Sequence, residues 1–149
     1  MPPKPVELGL TGQAVARNVL RLRAERGLSL RDVADRTPPD RKLNHSQVSS
    51  VERGVRQVSV DDLTGLAVAL GVSPITLLTP FARPTDGYDT DNELALTGTG
   101  YQFPRTLLDW LRGDAPLNAS PFPGPEADFE SETFRRSALP EWFWRRSGQ

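Results

Sequence analysis

An all-α domain of five helices is the fold predicted for residues 12–79, followed by a Pro-rich, partly irregular extension over residues 80–149. Three observations predict it. Apolar residues recur at the spacing that lines one side of a helix. Ser29, Asn44, Ser59 and Ser73 stand where helix N-caps are needed. Gly27, Gly54, Gly71 and the prolines at 38, 39 and 80 end the segments between those caps.

Residues 1–11 are Pro-rich and lack an apolar pattern, which predicts a flexible arm. From Gln13 the pattern turns helical. Val15, Val19, Leu20 and Leu22 form the apolar stripe, while Arg17, Arg21, Arg23 and Arg26 fall mostly on the other side and predict a solvated face. Ser29 opens the second helix, with Asp32 three residues on as a capping-box partner and Leu30, Val33 and Ala34 as its stripe. Thr37-Pro38-Pro39 ends it, because proline cannot continue a helix and constrains the residue before it. Asn44 caps a third helix running from His45 to about Arg53, anchored by Val48 and Val51. Ser59 or Asp61 caps a fourth through Leu63, Leu66, Ala67 and Leu70. Ser73-Pro74, an N-cap followed by proline in the first turn, opens a short fifth through Leu77 and Leu78.

Beyond Pro80 the signals thin out. Pro84 to Asn92 reads as a linker, and Arg105 to Arg112 as a short helix ended by Gly113. Residues 114–130 hold four prolines and several acids, which predicts no regular structure. The tail places Trp142, Phe143 and Trp144 beside Arg145 and Arg146.

Composition narrows the chemistry. There is no Cys and a single His, so neither a disulfide framework nor a multi-His metal site can form. No Gly-rich phosphate loop and no nucleophile–base pair is present, so neither a cofactor nor an enzymatic activity is expected. The N-terminus carries no apolar leader, and no apolar run reaches the ~20 residues of a spanning helix, which points to the cytoplasm. The net charge of −1 hides a division. Residues 1–60 hold eleven Lys and Arg against six Asp and Glu, a net +5, whereas residues 61–149 hold seven against thirteen, a net −6. A basic half joined to an acidic half fits a polyanion-binding face beside a separate acidic segment, or two ordinary solvated faces.

The second and third helices carry the most specific pattern. Ser29-Leu30-Arg31-Asp32-Val33-Ala34 is followed by Ser46-Gln47-Val48-Ser49-Ser50-Val51-Glu52-Arg53-Gly54, and then by Leu70-Gly71-Val72-Ser73. This resembles the Cro/C1-type (XRE family) helix-turn-helix over roughly residues 14–79. The resemblance implies a sequence-specific regulator of transcription, a repressor, whose partner is double-stranded DNA. An α-helix fits the major groove, where side chains read the donor and acceptor pattern of each base pair. Carried onto this chain, base reading falls to His45, Ser46, Gln47 and Ser50 at the start of the third helix. Phosphate contacts fall to Arg31, Asn44, Ser49, Arg53 and Arg56, with Arg41 and Lys42 of the preceding link and the backbone amides opening the second helix as further candidates. Glu52 takes a structural role within the fold by the same resemblance.

Two departures stand out. Leu30 occupies a position where the family often has a phosphate-clamping Gln, and the link through Pro38 to Lys42 is about four residues longer than the family norm. That link reaches toward the DNA backbone or is a tolerated surface insertion. The resemblance also implies a homodimer on palindromic half-sites about one helical turn apart. The Trp-rich extension leaves open a second use, as in an antitoxin that binds DNA with one part and a protein partner with residues 81–149.

Overall fold

The computed structural model describes residues 7–81, 93–120 and 122–145, with residues 144 and 145 described by their backbone alone. Five helices form the N-terminal part: α1 (Leu10–Glu25), α2 (Leu30–Arg36), α3 (His45–Glu52), α4 (Val60–Leu70) and α5 (Pro74–Leu78). The caps fall where the sequence places them. Ser29 and Ser59 each accept from the backbone of the third helical residue, while Asp32 and Asp62 accept in return from the two cap amides. Ser73 caps α5 by accepting from the Ile75 N–H at 3.2 Å. Gly54, just past α3, adopts φ +69°, a left-handed conformation that a side chain would strain.

One continuous core joins these helices. Val15, Val19 and Leu22 of α1, Val33 of α2, Val48 and Val51 of α3, Leu66 and Leu70 of α4 and Leu77 of α5 are all buried in it. Burying each such side chain favours the fold by about 1.5–3 kcal/mol. Leu20, expected in the α1 stripe, is 43% exposed, and the fully buried position is Asn18 instead. Its Nδ2 donates to the carbonyls of Leu77 and Thr79 at 2.8 Å each and lies 3.2 Å from that of Thr76. The amide thus ties the end of α5, whose last carbonyls lack helical partners, to the middle of α1.

The first helix starts at Leu10, three residues before Gln13. Gly9 is its extended N-cap, and the Gly9 carbonyl accepts from Gln13 N at 3.0 Å. The added turn is held from outside the core: Thr11 N donates to Thr97 Oγ1 (3.3 Å), and Thr97 N donates to Thr11 Oγ1 (2.9 Å). The flexible-arm expectation therefore fails for Leu10 and Thr11, and for residues 1–6 it lies outside the described residues.

Past Phe81 the described chain resumes with a tight reversal in which Leu94 and Gln102 exchange two backbone hydrogen bonds of 2.7 Å and Leu96 and Thr99 are buried. α6 (Pro104–Leu111) is the short helix expected near residues 105–112, opened by proline in its first turn. Residues 114–130 were expected to be irregular, but α7 (Pro125–Ala138) covers their end. Proline is harmless at its first position, where the missing N–H would have no partner. Glu126 and Asp128 in the first turn and Arg135 and Arg136 in the last oppose the helix dipole, and Glu132 pairs with Arg136 at 2.9 Å. Leu139, after α7, closes on Gly113 after α6: a Cβ on Gly113 would lie 2.7 Å from Leu139 Cδ2. α8 (Glu141–Arg145) carries the aromatic tail, with Trp142 and Phe143 exposed.

Candidate nucleic-acid interface

Val48 and Val51 are fully buried and fix one side of α3 in the core. At 100° per residue the opposite side carries Ser46, Ser49, Ser50 and Arg53, with His45 and Gln47 on its flanks. Ser46, His45 and Arg53 are exposed, and Gln47, Ser49 and Ser50 half-buried. The outward ridge is thus small, uncharged and polar, ending in one cation. Arg53 Nη2 reaches Ser50 Oγ at 3.4 Å.

The start of α3 is tightly specified. Asn44 Oδ1 accepts from Gln47 N at 2.8 Å, and Gln47 Oε1 accepts from Asn44 N at 2.9 Å. This reciprocal box orients Gln47 and leaves its Nε2 amide as a donor. A groove between α2 and this cap is lined by Arg31, Asp35, Lys42, Asn44, His45 and Gln47. It gathers five sequence-nominated residues beside the α3 ridge. Arg31, in the first turn of α2, is exposed.

Arg41 and Arg56 are not in this groove. The long link folds as a 3-10 turn at Pro39–Arg41 packed on α4, where a Cβ on Gly65 would touch Arg41 Cβ at 3.5 Å and Pro38 Cδ at 3.7 Å. It directs Arg41 Nε onto Asp62 Oδ1 (2.7 Å), while Arg56 Nη2 reaches Asp62 Oδ2 (3.4 Å). Both are nominated phosphate ligands, and both are engaged internally around one buried carboxylate. Burial pushes the Asp62 carboxyl up, but the hydrogen bonds from Arg41 and Ser59 N and the charges of Arg56 and Arg41 hold it below the ordinary range. The Asp62 hydrogen bond and charge raise the Arg41 guanidinium in turn. Lys42 Nζ donates to the carbonyls of Asp35 (2.8 Å) and Thr37 (3.2 Å), so it satisfies the end of α2.

Arg23 corrects the expectation of a solvated α1 face. Its Nε and Nη2 both donate to the Glu52 carboxylate, the latter at 3.0 Å, and its Nη1 donates to the Leu28 carbonyl at 3.0 Å. The Glu52 side chain is 7% exposed and that of Arg23 21%. The hydrogen bond to Glu52 raises the Arg23 guanidinium against the opposing effect of burial. Glu52 faces away from the outward ridge and braces α3 against α1. The opening of α2 is likewise occupied: Asp32 accepts from Ser29 N at 2.8 Å and Asp32 N donates to Ser29 Oγ at 3.0 Å. The Ser29 backbone bond, followed by the Ser29 hydroxyl, holds the Asp32 carboxyl below its ordinary value.

Sequence reasoning missed Asn18 and the Asp62 cluster. Both are polar residues inside apolar helices, and that mismatch was the signal available.

Similarity to known proteins falls on the same segment. A family model described as a helix-turn-helix domain matches residues 14–78, from within α1 to the end of α5. An HTH-type transcriptional regulator of Sinorhizobium fredii, y4dJ, is 42% identical over 66 residues, covering 44% of this chain and 80% of that protein. The crystal structure of the restriction-modification controller protein C.AhdI from Aeromonas hydrophila aligns with a TM-score of 0.40 and 33% identity, over 44% of this chain and 94% of that one. Among the described residues no helix is long and apolar enough to cross a membrane. With 80% of the Sinorhizobium regulator covered at that identity, and the helix-turn-helix match lying on α1–α5, the chain belongs to the Cro/C1-type (XRE) family of helix-turn-helix transcriptional regulators.

Proposed function

We propose that the protein is a cytoplasmic repressor that binds a palindromic operator as a homodimer, laying α3 in the major groove. The observation that carries this reading is the ridge of Ser46, Ser49, Ser50 and Arg53 raised on a floor of buried Val48 and Val51. Ser46 and the Gln47 amide read base edges, with His45 and Ser50 beside them. Arg31 and Arg53 hold phosphates, supported by the positive charge of Lys42. Asn44 contributes by fixing the start of α3, and Ser49 lies close enough to the ridge to meet the backbone. Arg41 and Arg56 serve the fold, since both are spent on Asp62. Asp32 stands at the opening of α2, so the phosphate contact that Leu30 cannot make passes to Arg31.

A gel shift on genomic fragments at two salt concentrations tests this. Each neutralised phosphate adds about −0.9 to the slope of log K against log salt, so Arg31, Lys42 and Arg53 of each protomer together predict a steep fall. A flat response, or no retained fragment, contradicts it.

A second reading rests on one observation: Phe122, Phe129 and Trp142 of the extension are 77%, 73% and 68% exposed. In it the helix-turn-helix binds DNA while the extension binds a protein, as in an antitoxin. It requires a stoichiometric partner that co-purifies with the full chain and is lost on deleting residues 81–149.

A further inference from the structure

Between α1 and the 94–102 reversal lies a cavity of about 390 Å³, within the ~300–1,000 Å³ range of small-molecule sites. Leu10, Ala14, Arg17 and Arg21 form one wall, at i, i+4, i+7 and i+11 on a single stripe of α1; Phe81 and Tyr101 face them. Leu10, Phe81 and Tyr101 are 49%, 50% and 75% exposed. Scattered singly such residues mean little, but here they converge on one concavity.

The two arginines differ. Arg21 is held in place: its guanidinium lies 4.3 Å over the Phe81 ring, Nη1 donates to Glu25, Nη2 to Asn18, and its solvent-shielded Nε has no acceptor among the described residues. Arg17 is exposed and has no hydrogen bond or ion pair among the described residues. The cavity therefore offers an apolar surface, one fixed cation and one unengaged guanidinium. Glu93 lies at its rim, exposed, where water and salt screen it.

We propose that this cavity binds a small organic acid, whose aromatic ring or short aliphatic chain lies against Leu10, Ala14 and Phe81 and whose carboxylate pairs with Arg17. The planar guanidinium matches the two carboxylate oxygens, and the neighbouring Arg21 disfavours a cation. The ligand bridges α1 and the extension. The site is separate from the α3 ridge, so its test does not depend on DNA binding.

The test is an NMR titration of the full chain with sodium phenylacetate and sodium hexanoate. 2-Phenylacetamide is the uncharged control and sodium chloride the salt control. Saturable shifts are expected at Ala14, Arg17, Leu94 and Ala95, with a dissociation constant about millimolar or tighter. Arg17→Gln weakens binding about tenfold and Glu93→Gln strengthens it about twofold. Both side chains are exposed, so an otherwise unchanged spectrum verifies that each variant is folded. Absence of saturable shifts, equal binding of the amide, or indifference to Arg17→Gln overturns the proposal.

Discussion

Replacing Glu52 by Gln removes one charge and little volume, and the consequence follows from the geometry. The Glu52 carboxylate accepts two guanidinium donors from Arg23 and is 7% exposed; Arg23 is 21% exposed, so solvent screening only partly weakens the pair. Exposed pairs contribute about 0.2–1 kcal/mol, whereas breaking a fully buried pair costs about 3–5 kcal/mol. A pair shielded on one side and open at its edge falls between, at about 2 kcal/mol. For a helical domain of this size that lowers Tm by about 8–16 °C. A double-mutant cycle of Arg23→Met and Glu52→Gln, read by urea denaturation, isolates the pairwise part and should return a coupling of about 2 kcal/mol. The double variant is less destabilised than the two single costs together, because no charge is left without its partner. Coupling at or below about 0.5 kcal/mol would refute the bracing role. So would a Glu52→Gln protein of unchanged stability with an altered operator preference, which would make Glu52 a base reader.

Asp62→Asn should lower stability at neutral pH by about 1–2 kcal/mol. The folded Asp62 carboxyl sits below its unfolded value, so its contribution is present above about pH 4 and is lost as pH falls through the folded pKa. The wild-type urea midpoint should therefore drop in acid with a slope that Asp62→Asn reduces; equal slopes would contradict this. Asn18→Leu removes the donor that ties α5 to α1 and leaves the Leu77 carbonyl unpaired. It should cost about 2–3 kcal/mol and speed amide exchange in α5 before the rest of the domain. Gly113→Ala meets both a left-handed backbone (φ +75°) and Leu139 Cδ2 at 2.7 Å. It should strain this turn and push the Leu139 side chain aside, seen as faster protease cleavage near Gly113 while α1–α5 stay protected; an unchanged cleavage pattern would count against that packing.

What was legible in the sequence is what local chemistry determines. Ser29, Asn44, Ser59 and Ser73 cap helices because each needs only backbone groups within three residues. The valines of α3 were readable as core for the same reason, and with them the outward ridge. What stayed hidden lies in partners distant along the chain. Arg23 and Glu52 are 29 residues apart, and Arg41 and Asp62 21 apart, so neither pairing was readable locally: Arg23 read as a solvated charge and Arg41 as a candidate phosphate ligand. The expectation that Glu52 is structural came from resemblance and not from its neighbours. α7 was missed because prolines and acids were read as composition. Taken by position, Pro125 followed by Glu126 and Asp128, with Arg135 and Arg136 at the other end, is an ordinary helix signature. For the link at Pro38–Lys42 the sequence left open a reach to the DNA backbone or a surface insertion, and its packing beside Gly65 of α4, more than twenty residues on, was not readable from neighbouring residues.

Selection of bound sequences from a random duplex pool tests the central claim most directly, comparing the wild-type chain with a Ser46→Ala/Gln47→Ala variant and with Arg53→Ala. The wild type should select a palindrome. The double variant should lose preference at one or two positions in each half-site. Arg53→Ala should keep the wild-type motif, bind every sequence more weakly, and lower the salt slope by about one. If the double variant selects the wild-type motif unchanged, α3 does not read the DNA through this ridge.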